Sequence, residues 1–288
     1  MRINLNDPDA LFIPLVSDYG FKVVFGNERN TLFLRRALQA LIQSQVSIRE
    51  VSFDKNTFDA VVKDSRGGIY DLACIDENGT HFIVEMQVSD APYFFQRMKF
   101  YAFHKFNSLV QRGNFGYNRL ERIYCIGILA NNIFASPGYH TVGAIRTQVG
   151  ELLDEQITYV TVELDKFRLS EHEVETDLEK LVYTMKTIHT TTQPTQFPQF
   201  WNEDWLQLAI DELDKRKMTP DERFAYERTL AINAESIRVV NAQIEEVKKE
   251  SIRKLLRRGK LTAAEIAEDV DVSVEVVEQL QREERSIN

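Results

Sequence analysis

The sequence predicts an α/β protein with a mainly helical second half, and three observations carry that expectation. Apolar residues recur at helical spacing in "ERNTLFLRRALQALIQ", residues 28–43. Short strand-like runs follow, either alternating or continuously apolar. Beyond about residue 175 the pattern is almost wholly helical.

Leu34, Leu38, Leu41 and Ile42 give the first helix its buried stripe behind a cap at Asn30. Val46 to Phe53, roughly Phe58 to Ala73, and His81 to Val88 read as three strands. A basic, aromatic helix then runs from about Pro92 to Arg112, and "RIYCIGILA" has the continuous apolar character of a buried strand. The order is helix, three strands, helix, strand. "TYVTVEL" adds another strand and "ETDLEKLVYTMKTIH" a helix, before the polar connection "TTTQPTQFPQF". Thr219-Pro220-Asp221-Glu222 is a strong helix start, with Thr as cap and Pro at the first helical position. Ile237, Val240, Ile244 and Val247 then repeat at 3-4 spacing for two heptads, short for a coiled coil, so packing onto the core is expected. Finally, "GKLTAAEIAEDVDVSVEVVEQLQRE" predicts two short helices in a helix-turn-helix-like module, with a Thr262/Glu265 capping box and Ser273 capping the second. Glu275, Glu278, Gln279 and Gln281 on that second helix suit packing or oligomerisation better than reading DNA phosphates.

With 288 residues and 43 % hydrophobic content, the chain can bury one substantial core plus a helical appendage without disulfides. Cys74 and Cys125 lie in apolar runs and read as reduced, buried side chains. His81, His104, His140, His172 and His189 lack zinc-site spacing. No apolar run approaches the roughly 18–20 residues of a membrane span, and a soluble, cytoplasmic protein is expected. A formal net charge of -9 argues against coating nucleic acid. The local exception is residues 91–120, which hold Arg97, Lys99, Lys105, Arg112 and Arg119 among many aromatics and no acid, predicting aromatics inside and cations outside.

The hairpin "GGIYDLACIDENGTHFIVEMQV", residues 67–88, carries the candidate chemistry. Alternation puts His81, Ile83, Glu85 and Gln87 on one face and Phe82, Val84, Met86 and Val88 on the other, which reads as the core side. A two-residue Asn78-Gly79 loop would set Asp71 opposite Met86. A three-residue loop, Glu77-Asn78-Gly79 with Gly79 left-handed, pairs Asp76 with Thr80 and sets Asp71 opposite Glu85. Opposed carboxylates make physical sense with a cation between them, and oxygen-only ligands suit Mg²⁺.

An aspartate ending one strand, Glu85-Met86-Gln87 on the next, then Gln96, Arg97 and Tyr101 on a helix resemble the PD-(D/E)XK nuclease superfamily. The blocks "SDYGFKVVFGNERNTLFLRRALQALI", "YDLACIDENGTHFIVEMQV", "FFQRMKFYAFHKFNSLVQRGNFGYNRLERIYCIGIL" and "VTVELDKFRLSEHEVETDLEKLVYTMK" resemble its recombination-promoting nuclease or putative transposase branch. The resemblance implies a mixed-sheet nuclease-like core over residues 1–165 followed by a helical extension over 166–250, and the helix-turn-helix-like module occupies 251–288. It implies a DNA endonuclease using Mg²⁺ or Mn²⁺, with Asp71 and Glu85 as metal ligands and Gln87 where the superfamily name has lysine. Asp18 matches an acidic position of the opening block, completing the metal site, binding a water on the metal, or forming an Asx turn ahead of the first helix. Gln96, Arg97, Lys99 and Tyr101 become the expected DNA contacts, and the C-terminal helices a route to a homo-oligomer. Because Gln87 cannot supply positive charge, a second reading is a nuclease-fold protein that binds DNA or a protein partner without cutting.

Overall fold

The computed structural model describes residues 10–54, 57–58, 68–88, 93–110, 116, 120–154, 156–193 and 197–287. Two helices lead, α1 (Asp18–Phe25) and α2 (Leu32–Leu41), followed by β1 (Val51–Phe53), β2 (Thr57–Phe58), β3 (Gly68–Ile69), β4 (Leu72–Asp76) and β5 (His81–Gln87). Then come α3 (Phe94–Leu109), β6 (Ile123–Leu129), β7 (His140–Ala144), β8 (Ile157–Glu163), α4 (Asp177–Thr187) and α5 (Asp204–Leu213). The chain ends in α6 (Pro220–Arg258), α7 (Ala263–Val270) and α8 (Val274–Ile287). It divides into two compact units, residues 1–220 and 221–288.

In the first unit a six-stranded sheet has the order β1-β4-β5-β6-β8-β7, with β2 and β3 pairing separately. β1, β4 and β5 are antiparallel, β6 and β8 run parallel to β5, and β7 closes the far edge antiparallel to β8. α3 is the crossover between parallel neighbours β5 and β6, the kind of connection a parallel pair requires. The predicted order of helix, three strands, helix, strand is present. The strand expected over 46–53 contracts to Val51–Phe53, and of the long strand expected over 58–73, residues 59–67 lie outside the described residues.

Helix α1 escapes sequence reading because Tyr19, Gly20, Phe21 and two valines give it weak intrinsic helicity. Its start is fixed instead by Ser17, whose Oγ accepts the Gly20 N–H at 3.0 Å and donates to the Pro14 carbonyl at 2.7 Å. Asn30 lies one residue before the Thr31 cap position of α2, and its side chain accepts the Leu32 N–H. Phe21, Val24 and Phe25 of α1 and Phe33, Leu34, Ala37 and Leu38 of α2 are buried, and these helices pack with α4 and α5 into one layer.

The central strands of the sheet are buried on both faces. Phe82, Val84, Ile126, Ile128, Val160 and Val162 fill one, while Ile83, Ile123, Cys125 and Leu129 pack with Phe94, Met98 and Ala102 of α3 on the other. The expectation of a single core side is therefore corrected. The face carrying Glu85 lies under α3, and Met86 on the other face is only half-buried. Cys74 pairs with Phe82 in register and Cys125 with Ile83, so the two free thiols occupy opposite faces. Burial pushes each thiol up to about 12, which keeps both protonated and inert.

The hairpin adopts the three-residue loop. Leu72 pairs with Val84 and Ile75 with His81, the Asp76 N–H donates to the Thr80 carbonyl at 3.0 Å, and Gly79 has φ +80°. The same register places Asp71 opposite Glu85. Gly79→Val is expected to destabilise the protein by about 2 kcal/mol, because a β-branched side chain resists the left-handed region. Its Cβ would also meet Glu121 Oε1 at 3.1 Å, the carboxylate that holds His81 at 2.6 Å. Chemical denaturation of the variant checks this, and an unchanged midpoint would mean the turn accepts another conformation.

In the second unit Ile252 of α6 packs with Ile266, Ala267, Val277 and Leu280 of α7 and α8. The Thr262/Glu265 capping box is formed, and Asp271 turns the chain between the two short helices at φ +52°. The expected burial of the α6 stripe is not found: Ile237, Val240, Ile244 and Val247 are 50–64 % exposed.

Candidate active site

The Asp71–Glu85 pair sits where the β4–β5 ladder ends, one step beyond Leu72–Val84. The two side chains replace main-chain acceptors there. The Asp71 N–H donates to Glu85 Oε1 at 3.2 Å, and the Met86 N–H donates to Asp71 Oδ2 at 2.8 Å. Each strand end is thus held by the carboxylate of the other. The backbone donors are satisfied, but two acidic side chains are fixed beside one another in a partly water-excluded place.

Electrostatics records the consequence. Burial pushes the Glu85 carboxyl up to about 7, Asp71 adds to the rise, and Arg97 and the Asp71 N–H only partly oppose it. Burial likewise raises Asp71, with Asp18 pushing the same way and the Met86 N–H, Lys22 and Arg97 opposing. Glu85 is only 7 % exposed in its side chain, whereas Arg97, its ion-pair partner at 3.2 Å, is 41 % exposed. The guanidinium is therefore screened by water, and desolvation of the acid prevails.

Helix α3 meets the site through one of its faces. Phe94, Met98 and Ala102, at i, i+4 and i+8, form the buried seam, which aligns Arg97 and Tyr101 with the strand ends. Arg97 Nη2 donates to Glu85 Oε2 at 3.2 Å and to Gln87 Oε1 at 3.3 Å. Tyr101 packs edge-on against buried Tyr70 at 5.0 Å between ring centroids. Gln96 and Lys99 are exposed. Cations outside and aromatics inside describe α3 poorly: Arg97 and Lys105 form ion pairs with Glu85 and Asp54, whereas Phe100 and Phe103 are exposed. The seam must stay apolar, so inward reach falls to the long side chains that border it. Arg112 and Arg119 lie outside the described residues.

The height of α3 above the sheet is set by Gly127, the β6 residue in register with Glu85. A Cβ there would lie 2.2 Å from Phe94 Cζ. Gly127→Ala is expected to displace the start of α3, to destabilise the protein by about 1–3 kcal/mol, and to weaken the Arg97 contact. Thermal unfolding together with a crystal structure checks this. An unmoved Arg97 would show that Phe94 rotates away instead.

The fourth sequence candidate, Asp18, is the first residue of α1 and forms an ion pair with Lys22 at 2.8 Å. The helix cap is Ser17, so the Asx-turn alternative for Asp18 is not what the structure contains. Both members of this ion pair act electrostatically on Asp71. Lys22 also lines a cleft of about 270 Å³ with Asp71, Phe21, Asp54 and Ala73. Lys22 is the functional candidate that sequence reading missed. The available signal was its i, i+4 spacing from Asp18, readable only once α1 is recognised as a helix. Among the described residues no group of three or more His, Cys, Asp and Glu side chains is disposed to hold a metal. The acidic centre is therefore a pair, Asp71 and Glu85, with Asp18 on the neighbouring helix.

A mixed six-stranded sheet between helical layers, with helices following, is consistent with the PD-(D/E)XK fold. A family model described as PD-(D/E)XK nuclease family transposase matches residues 15–243, and the chain belongs to that family. No curated protein and no solved structure matches it. Among the described residues no helix is long and apolar enough to cross a membrane.

Proposed function

We propose that this protein is a divalent-metal-dependent DNA endonuclease that hydrolyses phosphodiester bonds, with Asp71 and Glu85 holding Mg²⁺ or Mn²⁺. The observation that carries the reading is the opposed, interlocked carboxylate pair with raised proton affinity, a donor set of hard oxygens whose joint ionisation is favoured by a cation. Bound there, such an ion would supply charge neutralisation at phosphate and make its bound water more acidic than bulk water.

The chain's own residues do the positioning. Arg97 holds Glu85 and Gln87 in one orientation, leaving Gln87 as an acceptor rather than a source of charge. Positive charge near the acids comes from Lys22 and Arg97, one on each flanking helix, in place of the superfamily lysine. Lys99 and Gln96, on the exposed side of α3, meet the DNA backbone farther from the acids, and Tyr101 stays within the site wall. Supercoiled plasmid incubated with the purified protein tests the proposal: nicking with Mg²⁺ or Mn²⁺ that stops on chelation supports it, and nicking that persists with EDTA overturns it.

One observation favours a second reading. Arg97 already places a cation against Glu85 and Gln87, which is what a non-cutting, DNA- or protein-binding descendant of the fold requires. DNA binding without cleavage across a range of metals, unaffected by Asp71→Ala, selects it.

A further inference from the structure

We propose that α6 is a self-association element, in which two copies of the chain pair their α6 helices antiparallel. The proposal is independent of the nuclease reading. At 39 residues, α6 is about 58 Å long. Residues 231–247 within it are exposed on every side. An isolated helix gains its stability by burying an apolar face, and this stretch has one. Ile237, Val240, Ile244 and Val247 follow the a/d spacing of a coiled coil and are 50–64 % exposed.

Charge selects the occupant and its direction. Residues 226–235 carry Glu227 and Glu235 against Arg228, a net charge of -1. Residues 249–258 carry Lys249, Arg253, Lys254, Arg257 and Arg258 against Glu250, a net charge of +4. Parallel pairing would set each basic end against its twin. Antiparallel pairing sets the acidic end of one copy against the basic end of the other, and it is closed by a two-fold axis. The apolar stripe has the same symmetry: centred on residue 242, the pairing puts Ile237 opposite Val247 and Val240 opposite Ile244 of the second copy. The flanking positions Ser236, Asn241, Gln243 and Lys248 bring no like charges together, since Lys248 falls opposite Ser236.

Sedimentation equilibrium of the full chain is expected to give twice the chain mass. Val240→Glu combined with Ile244→Glu, both at exposed positions and both helix-compatible, should return it to the monomer mass with unchanged helical circular dichroism. A monomeric wild type, or a dimer that survives both substitutions, overturns the proposal. Direction is read with a short thiol cross-linker, to which buried Cys74 and Cys125 are silent. A mixture of Ile237→Cys and Val247→Cys proteins should cross-link, and neither alone. Cross-linking of Ile237→Cys with itself would mean parallel helices and sink the antiparallel assignment.

Discussion

Asp71→Ala is expected to lower metal-dependent plasmid nicking by more than about 100-fold while leaving the sheet intact. The expectation rests on what Asp71 touches. Its carboxylate is one of two opposed acids, and loss even of an indirect partner of a metal ligand typically lowers affinity or activity about 10–100-fold. The side chain also accepts the Met86 N–H at 2.8 Å, so a purely structural defect must be distinguished from a chemical one. Asp71→Asn makes the distinction: its amide oxygen can still accept that hydrogen bond but contributes no charge. Loss of nicking in both variants, with unchanged near-ultraviolet circular dichroism, is the expected outcome. Full activity in Asp71→Asn would remove Asp71 from the metal-binding role.

The second large effect is an inverted dependence of stability on pH. Glu85 has a folded-state value of about 7, above its ordinary 4.5, so the folded protein binds its proton more tightly than the unfolded chain. Its contribution is fully present below about pH 4.5 and is lost as the pH rises through about 7. The difference is on the order of 3 kcal/mol, or up to roughly 10 °C in midpoint for a unit of this size. His81 and His140, both held below their ordinary values chiefly by burial, act in the opposite direction as the pH falls. The informative quantity is therefore wild type minus Glu85→Gln. Without metal, that difference should move against the wild type between pH 5 and pH 8. Mg²⁺ should restore the wild type at pH 8 and leave Glu85→Gln unchanged, because a ligand stabilises only the state that binds it. A difference that is flat with pH would mean that the pair shares its charge with solvent.

The hairpin was the most legible part of the chain. Loop length decides which residues oppose one another, and Gly79 at the third loop position distinguishes the two possible registers, so the facing of Asp71 and Glu85 follows from local rules. Burial of the Glu85 face was not legible, because alternation marks an apolar face but cannot tell whether the polar face lies under a helix. Arg97 illustrates the same limit. Its inward turn depends on how Phe94 sits over Gly127, a contact between residues 33 positions apart. Lys99 and Gln96 remained outside because the same seam turns them away. Lys22 was invisible because α1 owes its start to Ser17 rather than to helix-forming residues. On α6 the period was legible but not its fate, since spacing alone does not say which surface covers a stripe.

The interlocking of Asp71 and Glu85 also makes the end of the sheet sensitive to solution chemistry. Along the interior of the β4–β5 and β5–β6 ladders, strand pairing is written into the main chain and is indifferent to ionisation. At this step the acceptors are side chains that can take up a proton, which ties the hydrogen-bonded length of the β4–β5 pair to their ionisation. Drawing the carboxylates toward another charge would compete with their hold on the Asp71 and Met86 amides. Hydrogen exchange at those two amides would then track occupancy of the acidic pair without any substrate present.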